Sequence, residues 1–509
     1  MDLLAGLSLV SDLGMSQPPE ESLRSALVAT GLARGLDLPE GEVADVLYTA
    51  LLQHVGCTAF AHETAALLGG DDRAVNAAGA KTNFADPTDM LRTFLPELTS
   101  GADAFRRLRL ITAAMVRGSK IGQGVSRANC EVAAAMAERL ALGAGVQSSL
   151  LQLFEWWNGE GAPRGLGGDD MALPTRITHV ASLAVLFHQV GGVDAALQAV
   201  RRRASGCLDP AIVEAFARIG PDLLTEAAEA DAAAAVMAAE PNPVQIVPHR
   251  RLAGVARAFG EMVDLKCPHL HGHSTAVAEL AQAAGERLRL DEAATGELRL
   301  AGLLHDIGRV GVASGVWDKP APLSAGEREQ VALHAYHSER ILARSPTLAP
   351  VAELAGAHHE RCDGSGYHRG TRAGTALPMP ARVLAAADVY AAMTHDRPHR
   401  AALSADAASG QLAMETREHR LDHEAVGAVL AAAGQGPGRL RRDWPAGLTD
   451  RQVEVLRLLA GGSSNRQIAR QLVVSPRTAE HHVADIYTKI GVTSRAAAAM
   501  FAMRHDLLT

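Results

Sequence analysis

Apolar residues along this chain fall at helical spacings. Near the C-terminus, Thr449 stands at an N-cap position with Gln452 three residues on, Val453, Leu456 and Leu459 follow on one face, and Gly461 and Gly462 close the run. A capping box, an apolar stripe and a glycine stop predict one helix. A second helix starts at Ser463/Ser464 and carries Ile468, Ala469 and Leu472, and a third starts at Ser475 with Pro476 in its first turn. In the third, Ala479, Val483, Ile486 and Ile490 recur at intervals of four, three and four, which buries that stripe and turns Arg477, Glu480, His481 and Ala484 outward. Two short helices joined by a tight turn predict a helix-turn-helix unit.

Upstream, the pattern repeats. Residues 21–56 laid on 273–308 without a gap match Leu36, Leu38, Leu51, Leu52 and Gly56 with Leu288, Leu290, Leu303, Leu304 and Gly308. Residues 154–165 likewise parallel 359–370 around a glycine-rich loop. A tandem pair of helical domains is expected. The alanine-rich stretch Ala227 to Ala239, stopped by Pro241 and Pro243, predicts a connecting helix between the copies. The Gly-, Pro- and Arg-rich segment 434–445 predicts a linker. The expected division is thus 1–240, 241–433, the linker 434–445, and 446–509.

Composition narrows the class. A chain of 509 residues needs several cores, and 48% hydrophobic against 21% charged residues is the balance of a folded protein. Only 4% are aromatic while alanine runs recur, so closely packed helices are favoured over β-branched, aromatic sheets and the expected class is all-α. No apolar run approaches the roughly 20 residues that span a bilayer, and the first ten residues lack a basic start, so a cytoplasmic location is expected. The five cysteines are scattered and never form a C-x-x-C pair, which argues against a disulfide framework or a thiolate zinc site. The net charge is -8, yet residues 446–509 hold eight Lys/Arg against five Asp/Glu, a local +3 that leaves -11 for the rest. With Arg439, Arg441 and Arg442 just upstream, the tail reads as anion-binding.

The tail resembles the LuxR family through Leu448, Thr449, Arg451, Val455, Leu456, Asn465, Ile468, Ala469, Leu472, Ser475, Thr478, His481, Ile486, Lys489 and Val492. Gln452 and Ala479 depart from that family's usual Glu and Val. The resemblance implies a four-helix domain that binds double-stranded DNA, its third helix entering the major groove by its N-terminal part. Arg466, Arg470, Arg477, Thr478, His481 and Lys489 are the candidate contacts to phosphates or base edges.

Histidine is unevenly spread: 14 of the 21 lie between His249 and His423, about a third of the chain. The informative set is His273, His305-Asp306, His334, His358-His359 and Asp388, nitrogen and carboxylate donors suited to Fe, Mn or similar metals. Neighbouring helical residues diverge by about 100°, so the two doublets suit two adjacent metals, with Asp306 a natural bridge. His337, His368, His395 and His399 read as ordinary histidines.

These residues resemble the HD-GYP branch of the HD-domain phosphohydrolases: Leu303-Leu304-His305-Asp306-Ile307-Gly308-Arg309, then His358-His359 through Gly366-Tyr367, then Ala387-Asp388-Val389 with Arg397-Pro398. The resemblance implies tandem HD bundles and a binuclear site on His273, His305, Asp306, His334, His358, His359 and Asp388. It further implies Asp306 and Arg309 in the chemistry, a substrate loop at Asp363, Gly364, Gly366 and Tyr367, and a phosphodiester substrate such as a cyclic dinucleotide. Arg309 stands where the family has Lys, His368 replaces the Pro of Gly-Tyr-Pro, and Ala391 replaces an Asp. Arg keeps the charge but presents a planar fork, so phosphate contact survives while leaving-group geometry changes.

In the first copy Glu21 meets His273, Gln53 meets His305, His54 meets Asp306, Leu153 and Phe154 replace His358 and His359, and Ser182 falls where Asp388 is. That copy is not expected to hold the same metals; packing, ligand sensing or dimerisation are its open roles. Two functions follow: a homodimeric transcriptional regulator with a phosphodiesterase centre, or a non-catalytic metal- or nucleotide-sensing transcription factor.

Overall fold

The computed structural model describes residues 1–509 apart from 69–70, 85, 100–102, 371–376, 399, 435–443, 506 and 509. Most of the expected linker, with Arg439, Arg441 and Arg442, and His399 lie outside the described residues. Among those described there is no β-strand, and the fold is all-α as expected. Two compact units emerge: Met1–Pro248 with the short segment Ala313–Gly315, and His249–Val312 with Val316–Thr509.

The first unit is built on α1 (Asp2–Gly14), α2 (Glu21–Gly35), α3 (Glu40–Leu52), α4 (Ala104–Arg139), α5 (Ala144–Leu150), α6 (Leu173–Arg203), α7 (Pro210–Glu229) and α8 (Ala232–Ala239). Leu32, Leu47, Leu51, Val180 and Phe216 share one buried core. Burying each large side chain contributes about 1.5–3 kcal/mol. Two sequence expectations are corrected. Helix α6 is long and apolar enough by composition to cross a membrane. However, Ile177, Val180 and Ala184 pack in the core and Gly192, at φ 72°, breaks the helix. The stretch Ala227 to Ala239 is not one connecting helix: Asp231 accepts a hydrogen bond from Ala234 N and caps a separate α8, whose Ala232 and Val236 belong to the first copy's core.

The second unit repeats the plan with α9 (His249–Asp264), α10 (His273–Arg287), α11 (Glu292–Leu304), α12 (Ala325–Leu342), α13 (Ala349–Gly356), α14 (Met379–Thr394) and α15 (His423–Ala433). Matching side-chain bonds tie the copies position by position. Asp12 accepts from Ser22 as Asp264 does from Ser274. Glu155 receives Arg164 N at 2.8 Å, and Glu360 receives Arg369 N at 2.8 Å. Arg176 pairs with Asp209 at 2.9 Å, and Arg382 with Asp422 at 3.2 Å. Asp37 and Arg289 both take positive φ, 55° and 58°, just past helix α2 and helix α10. A non-glycine residue rarely sits there, so the shared outlier marks a shared turn.

The C-terminal domain comprises α16 (Asp450–Ala460), α17 (Asn465–Gln471), α18 (Pro476–Ile490) and α19 (Arg495–Arg504). The expected capping box forms between Thr449 and Gln452, and the structure adds a second between Ser464 and Gln467. Ser475 caps α18 with Pro476 in the first turn. Val453, Leu456, Ile468, Ala479, Val483 and Ile486 make its core, so the periodic stripe of α18 faces inward as the spacing requires.

Candidate metal centre and DNA-binding face

Five helix ends and faces of the second unit converge. His273 opens α10, His305 and Asp306 follow the last turn of α11, His334 lies within α12, the His358-His359 pair follows α13, and Asp388 projects from α14. All seven predicted ligands come together in one cluster. His273, His305, Asp306, His334 and His358 are at most 2% exposed, a depth at which a carboxylate or imidazolium survives only with a partner.

The cluster has two lobes. His273, His305 and Asp306 form one donor group and His334, His358 and His359 the other, each within metal-ligating reach of a common point. Asp306 spans them: its Oδ1 lies 3.2 Å from His334 Nε2 and 3.5 Å from His358 Nε2, while its Oδ2 lies 3.3 Å from His305 Nε2 and 3.7 Å from His273 Nε2. Asp388 makes a second span, with Oδ1 3.1 Å from His273 Nε2 and Oδ2 3.6 Å from His359 Nδ1.

Backbone contacts aim the rings. His305 and His358 hold Nδ1 2.8 and 2.7 Å from the carbonyls of Gly302 and Ala355, three residues back, and His334 does the same to Val331. Each Nδ1–H donates outward and turns its Nε2 into the cluster, where that nitrogen, once free of a proton, is the lone-pair donor metal ligation needs. His334 and His358 consequently face each other Nε2 to Nε2 at 3.0 Å. His305 Nε2 and both oxygens of Asp306 are buried and meet one another and Arg309 as ion pairs rather than as well-aligned hydrogen bonds. A buried carboxylate ringed by imidazoles in this way suits divalent cations.

Protonation follows the same layout. Burial drives the pKa of His273 down to about 3 and of His358 to about 4, so both are neutral at neutral pH. Burial also works against charge on His305, but Asp306 and Asp388 outweigh it and push that pKa up to about 9. Burial would raise the Asp306 carboxyl, yet Arg309 and His305 hold it well below the usual carboxylate range.

Arg309 sits at the edge of the cluster with Nε 2.8 Å from Asp306 Oδ2 and its guanidinium 4.2 Å from the Trp317 ring centre. Trp317 also meets His334 edge-on at 5.6 Å. Nothing in the sequence pattern marks Trp317, because its role arises only from this packing. Tyr367 N donates to His359 O and its ring lies 4.7 Å from His359. Gly366 is required here, since a Cβ would fall 2.4 Å from His359 O. Gly364 takes φ 81°. Asp363 is not brought to the cluster: it is exposed, and its carboxylate accepts from Ser365 N and Oγ, bracing its own turn. Glu339, unmarked in the sequence, anchors the loop from α12 through Arg369 and, at 3.4 Å, His368.

On the C-terminal domain Arg466, Arg470, Arg477, Thr478 and His481 are exposed. His481 lies 3.1 Å from Asp485. Lys489 differs: its Nζ donates to Gly447 O and Gln452 Oε1, both at 2.8 Å, so its charge is tied to the domain's own N-cap rather than left free for phosphate.

Comparison with known proteins bears on both regions. A model described as HD domain matches residues 257–425, and one described as bacterial regulatory proteins, luxR family, matches 446–502. The chain is 30% identical over 410 residues to 3'3'-cGAMP-specific phosphodiesterase 3 of Vibrio cholerae, covering 80% of this chain and 89% of the relative. The chain belongs to the HD-GYP-type phosphodiesterases. It is similar as well to a cyclic di-GMP phosphodiesterase of Thermotoga maritima, 37% identical over 132 residues, which is 26% of this chain and 36% of that one. Among solved structures it resembles a cyclic GMP-AMP specific phosphodiesterase of V. cholerae, V-cGAP3, with TM-score 0.58 and 27% identity, covering 86% of this chain and 98% of that chain. This HD-GYP protein is a metal-dependent phosphodiesterase of the HD superfamily that also carries a LuxR-family domain.

Proposed function

We propose that this protein is a cytoplasmic, homodimeric transcriptional regulator whose central domain, 241–433, hydrolyses a cyclic dinucleotide and whose domain 446–509, beyond the linker 434–445, binds a specific DNA sequence. The observation that carries the reading is Asp306, whose two oxygens are divided between two histidine groups. That division suits two divalent ions, Fe or Mn by donor type, held by His273, His305, Asp306, His334, His358, His359 and Asp388. When bound, such a pair supplies both nucleophile activation and neutralisation of phosphate charge.

The chain's own groups do the rest. Arg309, flattened on Trp317, offers a planar fork at the cluster's edge and orients the phosphodiester. Gly364, Gly366 and Tyr367 form the wall beside His359 that positions the substrate. The substrate class follows from the curated relatives' activity on cyclic dinucleotides. On the DNA side, Arg466, Arg470, Arg477, Thr478 and His481 make the contacts, with Lys489 bracing the domain.

Metal analysis of the full-length protein tests this. About two transition-metal ions per chain are expected in the central domain, both lost on His305→Ala plus Asp306→Ala. Unchanged metal content in that variant would overturn the assignment.

A further inference from the structure

The first copy differs from the second unevenly at the seven donor positions. The lobe formed by His334, His358 and His359 is replaced by Asn129, Leu153 and Phe154, and the opposite aspartate by Ser182. The register holds in space: a Cβ on Gly56 would fall 2.0 Å from Asn129 O, as one on Gly308 would fall 2.1 Å from His334 O. Hydrocarbon from Leu153 and Phe154 therefore takes two of that lobe's three positions, and Asn129 is its one polar replacement. The other lobe, His273, His305 and Asp306, is replaced donor for donor by Glu21, Gln53 and His54.

Those replacements are only partly satisfied by the protein around them: Ser25 Oγ donates to Glu21 Oε1 at 2.9 Å, but other polar atoms are left over. Glu21 is 2% exposed and its Oε2 has no hydrogen-bond partner. Gln53 is 8% exposed with an unpartnered Nε2, and Asn129 is 6% exposed with an unpartnered Oδ1. Asp12, behind Glu21, has an unpartnered Oδ2 at 1% exposure. Leaving even one such group unpaired is costly, so these groups around the Glu21–His54 pair call for a ligand. Glu21 Oε2 stands 3.8 Å from His54 Nε2, the separation of two donors each about 2.1 Å from one shared ion.

We propose that the first copy holds a single divalent cation of the Mn class on Glu21 and His54, with the amide oxygens of Gln53 and Asn129 completing it. The donors are oxygens and one imidazole, a hard to borderline set. A thiolate zinc site does not compete: Cys57 Sγ lies 4.0 Å from His54 Nδ1, but burial and neighbouring Cys130 push its thiol up to about 12, keeping it protonated. Burial lowers His54 to about 4, leaving its ring neutral and able to ligate. Burial and Asp12 raise Glu21 to about 8, a carboxyl that ionises fully near neutrality only beside added positive charge. Asn129 already leaves its oxygen free, and Gln53 reaches the ion through its oxygen once its amide turns over, a change of near-equal shape.

The experiment uses the full chain carrying His305→Ala plus Asp306→Ala, which removes the central ions, so a failure of the central assignment and a failure of this one read out separately. Manganese bound at millimolar Mn²⁺ is counted by electron paramagnetic resonance. One equivalent is expected, lost on adding either Glu21→Gln or His54→Leu, with circular dichroism melts checking that each variant is folded. An equivalent that survives both substitutions, or no bound Mn²⁺ before they are made, overturns the proposal.

Discussion

Asp306 shows how much one side chain decides in this protein. Its two oxygens face two lobes, so the metal centre and the acid–base behaviour of the cluster depend on the same carboxylate. The pH dependence of stability follows with a definite sign. His273 and His358 have folded pKa values of about 3 and about 4, below an unfolded 6.5, so their contribution is present above 6.5 and lost as pH falls toward those values. His305, at about 9, does the reverse: its contribution is present below 6.5 and lost as pH rises to about 9. Urea melts of metal-free protein should therefore show a stability maximum near neutrality, and saturating metal should remove the alkaline decline, because a ligated His305 carries no proton. An alkaline decline unchanged by metal would contradict this. The seven clustered donors were legible in the sequence because nitrogen and carboxylate side chains are concentrated there. Trp317 and Glu339 were not, since a tryptophan under Arg309 and a carboxylate holding Arg369 become meaningful only when distant helices meet.

Among the elements, the helix caps were the easiest to read. Thr449–Gln452, Ser464–Gln467 and Ser475–Pro476 are local signals, and each sits where its chemistry demands. The stretch Ala227 to Ala239 misled because alanine is helix-compatible everywhere, and what divides α7 from α8 is the Asp231 cap together with burial of Val236 in a core built from remote helices. Helix α18 yields a prediction that separates two basic residues. Arg477→Ala should weaken DNA binding and lower the salt slope by about one, as loss of one phosphate contact does. Lys489→Ala should leave the slope unchanged but cost about 1 kcal/mol of domain stability, through its two lost hydrogen bonds. Salt titrations of DNA binding beside thermal melts would show it; equal slope changes for the two variants would place Lys489 on DNA after all.

For the whole molecule, the tandem repeat was visible as matched leucines and glycines, but its completeness emerged only from paired contacts such as Arg176–Asp209 and Arg382–Asp422, which join residues about thirty to forty positions apart. One chain joins a phosphodiesterase and a DNA-binding domain, so ligation at the first should bias the second. A coupling of roughly 1–3 kcal/mol would shift operator affinity about 5- to 150-fold, and DNA would shift ligand affinity equally. Identical DNA titrations with and without metal and a cyclic dinucleotide would mean that the domains merely share a chain. Two metals on the bridging aspartate should make this a working phosphodiesterase, and hydrolysis of a cyclic dinucleotide by the full-length protein, followed as metal equivalents are added, tests it. Turnover should rise to a plateau at about two equivalents and fall roughly 1,000-fold or more in His305→Ala plus Asp306→Ala, since the pair supplies several kcal/mol at about 1.4 kcal/mol per tenfold. Absence of hydrolysis at full metal occupancy, or turnover indifferent to those two residues, would contradict it.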